Sequence, residues 1–264
     1  MPLLRVGYKL LHYTDAQPSG AVRETLVLTH GLGSSQDFYG PIVPQLTAQS
    51  FRCIAFDTTG AARSPYTCVE QSVASLAADA LAVLDALEVR KAVVVGHSMG
   101  GIVAAHLAAT APARIVAAVL IGPVLPSPAV ADVFEKRIRV VAEQGMEAMA
   151  NTIPGAAVGA KASALTKAFI RELLLAQDAR GYVSNCRVIA GAEPPDYAHI
   201  SIPCLIIAGA EDKSAPLEGC KKILAAIGAE EKRMEVLDGV GHWHCLEAPD
   251  EVARRIIDFY HQIQ

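Results

Sequence analysis

The stretch Ala92-Val93-Val94-Val95-Gly96-His97-Ser98-Met99-Gly100-Gly101-Ile102-Val103-Ala104-Ala105 decides the architecture. It opens on a β-branched run of strand length, is interrupted by glycines, and continues with alanine-rich helical spacing. No Asp, Glu, Lys or Arg occurs between Lys91 and Arg114, a gap long enough by itself to cross a bilayer. Gly96, His97, Ser98, Gly100, Gly101, His106 and Pro112 within that gap, and its change of period, instead specify a buried strand, a tight turn and a buried helix. Small residues at 96 and 100 permit a strained turn that lifts the Ser98 hydroxyl clear of the sheet. The helix that follows points its first N–H groups toward it. Ser98 is therefore the expected nucleophile, in preference to the plainer reading of an ordinary tight turn.

The composition around this stretch agrees with a large interior. The 264-residue chain is 52 % hydrophobic and 19 % charged, below the roughly 25 % charge of an average globular domain. Disorder, or a solenoid with a solvated outer face, does not fit that balance. With 23 Lys+Arg against 27 Asp+Glu the net charge is −4 and no long block of like charge exists. Neither nucleic acid nor a membrane surface is an expected partner. Met1 to Leu11 contains Arg5 and Lys9 and does not resemble a secretory signal. The six cysteines, at 53, 68, 186, 204, 220 and 245, form no Cys-x-x-Cys pair, which suits reduced thiols in a cytoplasmic protein. His242-x-His244 with Cys245 lacks further companions at ligand spacing, so a metal site is not expected.

Along the chain, Leu4-Val6 and Lys9-Tyr13 around Gly7 predict an opening hairpin. Short apolar runs at 25–29, 53–56, 92–95, 116–121, 204–208 and 234–237 then alternate with helical patterns at 39–48, 73–87, 101–109, 217–227 and 247–262. Such alternation predicts an α/β fold with a mostly parallel sheet buried between helices. The pattern breaks once, after the sixth strand. There, prolines at 126, 128, 194 and 195 bracket helical segments at 130–144, 145–151, 162–176 and 178–189 with no convincing strand. The expected organisation is a core of residues 1–122 and 201–264 with a helical insertion over 123–200.

Ligands of open parallel sheets bind beyond the carboxyl ends of the strands, and three further signals fall at such ends. A serine nucleophile needs a base. His242, in Gly239-Val240-Gly241-His242 after the last strand, is well placed because Gly241 frees the backbone to turn the ring inward; His244 competes, whereas His12, His199 and His261 read as surface histidines. A buried acid must orient the imidazole. Asp212, after the strand at 204–208, is a candidate beside Glu211. The order Ser98, Asp212, His242 is that of one serine-hydrolase architecture and not of the other two common ones. Finally, His30-Gly31-Leu32-Gly33 ends the strand at 25–29, where the Leu32 and Met99 amides together suit an oxyanion. Gly31-x-Gly33 followed by Asp57 also has the start of a dinucleotide-binding fingerprint, but its third glycine is replaced by Gln36.

On these motifs the chain resembles the α/β-hydrolase superfamily over essentially its whole length: His30-Gly31, Asp57-x-x-Gly60 with Arg63-Ser64, the elbow at Ser98, Asp212, and Gly239-x-Gly241-His242. The resemblance implies an eight-stranded, mostly parallel sheet with a helical cap, a Ser98-Asp212-His242 triad, and an oxyanion hole at Leu32 and Met99. Gly145-Met146, Gly181-Tyr182, Cys186 and Ile206-Ala208-Gly209 are most similar to the 3-oxoadipate enol-lactonase-like group. His30-Gly31 and His97 are shared instead with general esterases. Gly60-Ala61-Ala62-Arg63 resembles the butenolide- or strigolactone-type hydrolase-receptors. The implied activity is therefore hydrolysis of a small ester or lactone without metal or organic cofactor. Alternatives on the same residues are a receptor-like lactone hydrolase and a cofactor-free perhydrolase or haloperoxidase. His30, Gly31, Arg63, Phe134, Tyr182 and Trp243 are the expected substrate contacts. Arg63, Arg137, Arg139, Arg180 and Arg187, in loops or the helical insertion, are candidates to bind a substrate carboxylate, with surface charge the plainer reading of each. Nothing in the sequence specifies an oligomer.

Overall fold

The computed structural model describes residues 2–264. The opening hairpin forms as β1 (Leu3–Val6) and β2 (Lys9–Ala16). Six further strands follow: β3 (Glu24–Thr29), β4 (Phe51–Phe56), β5 (Ala92–His97), β6 (Ile115–Ile121), β7 (Cys204–Gly209) and β8 (Lys232–Leu237). All eight join one sheet in the order β1-β2-β4-β3-β5-β6-β7-β8. The first two pairings are antiparallel and the remainder parallel.

The central strands are buried on both faces, as their charge-free sequences require. Because side chains alternate along a strand, β5 sends Val94 to one face with Val27, Ala118 and Ile206, and Val93 and Val95 to the other with Leu28, Val119 and Ile207. Helices α2 (Val73–Ala86), α3 (Met99–Thr110) and α7 (Leu217–Ala226) cover the first face. The opposite face packs on α1 (Val43–Ala48) and α9 (Pro249–Gln262), the latter preceded by the single turn α8 (His244–Glu247). Helix α3 is buried nearly all round, which explains its alanines and glycines. Among the described residues no helix is long and apolar enough to cross a membrane.

Between β6 and β7 the chain builds three α-helices and no strand, α4 (Pro128–Ala156), α5 (Ala164–Leu175) and α6 (Ala179–Ala190), followed by one 3-10 turn at Tyr197–His199. The segments expected at 130–144 and 145–151 form one element, broken at Gly145 where φ is 69°. Ser127, Ser163 and Asp178 cap the three helices by accepting hydrogen bonds from first-turn amides. These helices dock on loops at the carboxyl ends of the strands. The Lys161 amide donates to the Gly239 carbonyl at 2.9 Å, and the His242 amide donates to the Ala157 carbonyl at 2.8 Å.

Candidate active site

Strand β5 and helix α3 meet at Ser98, whose backbone is in the left-handed region at φ 56°, ψ −114°. A non-glycine residue there is strained and persists only where its surroundings hold it. Two close contacts do so. A Cβ at Gly96 would lie 2.0 Å from the Gly100 carbonyl oxygen, and one at Gly100 would lie 2.2 Å from that of Thr29. Only glycine lets helix and strand approach this closely, so the elbow's small residues are a packing requirement. The Ser98 amide donates to the Ile121 carbonyl at 3.0 Å, tying the turn to β6.

Three residues far apart in sequence converge at this turn. His242 Nε2 lies 2.9 Å from Ser98 Oγ, and His242 Nδ1 lies 2.8 Å from Asp212 Oδ2. The other Asp212 oxygen accepts the Ser214 and Ala215 amides, each at 2.8 Å. Burial pushes the Asp212 carboxyl up. The attraction of His242 and its hydrogen bond, with His244 and the Ala215 amide, outweigh this and hold the group below its ordinary value. An ionised Asp212 accepts from Nδ1–H and leaves Nε2 to accept from the Ser98 hydroxyl.

His242 is itself clamped by its carbonyl oxygen, which accepts from His97 Nε2–H at 2.7 Å and from His244 Nδ1–H at 2.9 Å. His97 stacks on Phe38 with ring centroids 4.2 Å apart. Burial, reinforced by the neighbouring histidines, lowers the His97 pKa well below its ordinary value; burial likewise brings His244 down to about 4. Both rings are thus neutral donors that add no positive charge beside His242. His244, the alternative base, is wholly buried in this bracing role. Glu211 turns away: its Oε2 accepts the Ala160 amide at 3.0 Å.

Ser98 and His242 open into a cavity of about 370 Å³ lined chiefly by Leu32, Val124, Phe134, Ile153 and Trp243. A larger groove, between Arg52, Asp85 and Arg114, lies at the opposite ends of the strands and holds none of these residues. Of the expected substrate contacts, Phe134 and Trp243 line the cavity at Ser98. The others sit elsewhere. His30 is fully buried, with Nδ1–H donating to the Gly31 carbonyl at 2.8 Å and Nε2 accepting the Thr58 amide at 3.0 Å, so it braces the loop that carries Leu32. Gly31 backs onto Ser98 and His97, where a Cβ would meet Ser98 Cβ at 2.8 Å. Tyr182 is buried against Gly33, and Arg63 lies at a separate crevice, 3.8 Å from Asp37. Leu32 lines the cavity, and Met99 is the first residue of α3, where an amide lacks an intrahelical acceptor.

Other residues depart from the sequence reading. His12 is buried on β2 rather than at the surface, 3.0 Å from Asp57. Glu247, which no motif marks, accepts the amides of Gly159 (2.7 Å), Gly241 (2.9 Å) and Trp243 (2.8 Å), fixing the His242 loop to the chain that joins the inserted helices. Arg137 lines the cavity at Ser98, whereas Arg180 and Arg187 pair with Asp178 and Glu70 outside it.

The sheet order, the serine elbow and the strand-end histidine and aspartate together have the form of an α/β hydrolase. The alpha/beta hydrolase family model matches residues 26–255, and the chain belongs to that family. It is 28 % identical to a 2-hydroxy-6-oxononadienedioate/2-hydroxy-6-oxononatrienedioate hydrolase of Paraburkholderia xenovorans, covering 96 % of this chain and 91 % of that protein. It is 29 % identical to 3-oxoadipate enol-lactonase 2 of Acinetobacter baylyi over 73 % of each. The crystal structure of the enol-lactonase from Burkholderia xenovorans superposes with a TM-score of 0.89 at 26 % identity, covering 98 % of this chain and all of that one.

Proposed function

We propose that the protein is a serine hydrolase that cleaves a small ester or lactone through an acyl-enzyme on Ser98. The observation that carries this reading is the unbroken hydrogen-bonded chain Ser98, His242, Asp212, with links of 2.9 and 2.8 Å, opening into an apolar cavity. His242 takes the Ser98 proton as Oγ attacks the carbonyl carbon, and Asp212 stabilises the imidazolium. The Leu32 and Met99 amides hold the tetrahedral oxyanion. His242 then protonates the leaving alkoxide or enolate, and water repeats the cycle to release the acid. No step requires a metal or organic cofactor. The helices at 123–200 act as a cap over the core of 1–122 and 201–264, setting which substrate enters. The six unpaired cysteines, five of them buried, suit a cytoplasmic setting.

A panel of p-nitrophenyl esters, γ-lactones and enol-lactones tests this with purified protein. Many turnovers per molecule are expected on at least one short-chain member, with no added cofactor. A burst of one equivalent followed by stalling contradicts it in favour of a receptor. Activity seen only with peroxide contradicts it in favour of a perhydrolase.

A further inference from the structure

His242 stands on a backbone that one carboxylate secures from both sides. Glu247, at the end of the single turn α8, folds back so that Oε1 accepts the Trp243 amide at 2.8 Å and Oε2 accepts the Gly241 amide at 2.9 Å. The same Oε2 accepts the Gly159 amide at 2.7 Å, from the chain that joins α4 to α5. The amide between, that of His242 itself, donates at 2.8 Å to the Ala157 carbonyl of that chain. Three consecutive amides around the imidazole are thus fixed, two by Glu247 and one by the inserted segment. Glu247 is buried, and among the described residues no cation pairs with it. A carboxylate so placed is tolerable only because hydrogen bonds satisfy it.

The two chains meet backbone to backbone. A Cβ at Gly159 would lie 2.5 Å from the Gly239 carbonyl oxygen and 2.7 Å from the Gly241 nitrogen, and a Cβ at Gly241 would lie 2.5 Å from the Gly159 nitrogen. Gly239 and Glu211 add further ties by accepting the amides of Lys161 (2.9 Å) and Ala160 (3.0 Å). The segment 157–161 is therefore bonded to the loops of both Asp212 and His242. Neither Glu247 nor Gly159 lines the cavity at Ser98, so any influence they have on the reaction must pass through His242. Proton transfer from Ser98 Oγ to Nε2 spans 2.9 Å, and a displacement of about 1 Å at such a step can cost about 100-fold in rate. We propose that Glu247 is a positioning residue for the hydrolysis: it locks the backbone of His242 to the α4–α5 connection and so holds the imidazole at transfer distance from Ser98. This rests on the hydrolase reading above.

Glu247→Gln keeps the shape of the side chain and removes its fit. The introduced NH₂ must face an N–H, either that of Trp243 or those of Gly159 and Gly241. On the best ester of the panel, kcat per competent site is expected to fall roughly 10–100-fold, with KM within about threefold of wild type. Competent sites are counted by stoichiometric labelling with a p-nitrophenyl phosphonate. Gly159→Ala leaves the carboxylate in place but forces the two chains apart, and it should lower kcat in the same way, so a Glu247→Gln that does not fold still leaves a decisive variant. Unchanged kcat per labelled site in either folded variant, a loss confined to the fraction of sites that label, or a loss carried by KM alone would overturn the assignment. The downfield proton resonance of His242 Nδ1–H, identified by its absence in His242→Gln, reads the ring's placement without turnover. It should move or broaden in Glu247→Gln. Such a change supports the positioning role even where no ester is cleaved; an unmoved resonance overturns it.

Discussion

Ser98→Ala is expected to lower kcat by about 10⁴–10⁶-fold, because nucleophile and base act as a unit and little but binding and oxyanion contacts survives the loss of either. The fold should persist. Among the described residues Ser98 Oγ is engaged by His242 alone, and the turn is held by backbone contacts: the Ser98 amide on Ile121, and the tight approaches of Gly96 and Gly100. Alanine tolerates the φ of 56° no better and no worse than serine, so the local strain is unchanged. Steady-state kinetics on the best ester of the panel, beside thermal unfolding, checks both halves of this expectation. A variant that retains a tenth of wild-type turnover would remove Ser98 from the chemistry.

Asp212→Asn is expected to cost about 10⁴ in kcat with little change in substrate binding. The carboxylate has two duties, with one oxygen accepting His242 Nδ1–H and the other accepting the Ser214 and Ala215 amides. An asparagine has one carbonyl oxygen for both. If that oxygen keeps the two amides, the NH₂ faces His242 and forces the proton onto Nε2, where it can no longer take one from Ser98. Glu211 cannot substitute, since its carboxylate is turned to the Ala160 amide. Near wild-type kcat in Asp212→Asn would show that His242 is oriented by something else.

Local chemistry made part of this site legible in the sequence. The elbow is a contiguous stretch in which glycine spacing, strand and helix imply one another, and Asp212 and His242 each follow a recognisable strand. Strand starts were less visible where charge intrudes. β4 begins at Phe51, two residues before the apolar run expected at 53, and takes in Arg52 because Asp15 on β2 meets its guanidinium at 2.7 and 2.9 Å. Arg233 in β8 is accommodated over the Phe259 ring. The bracing residues were hidden for another reason. His97, His244 and Glu247 act by meeting backbone groups that only the folded chain brings near, and no residue spacing encodes a partner carbonyl or amide. Arg137 is indistinguishable in sequence from the other arginines of the inserted helices; only the folded chain shows that it lines the same cavity as Ser98.

The covalent step is the most direct test of the whole account. Intact-mass analysis after incubation with a p-nitrophenyl phosphonate, followed by peptide mapping, should find one adduct per chain, on Ser98, and none in Ser98→Ala. An adduct on a different residue, or no adduct while ester hydrolysis continues undiminished, would contradict it.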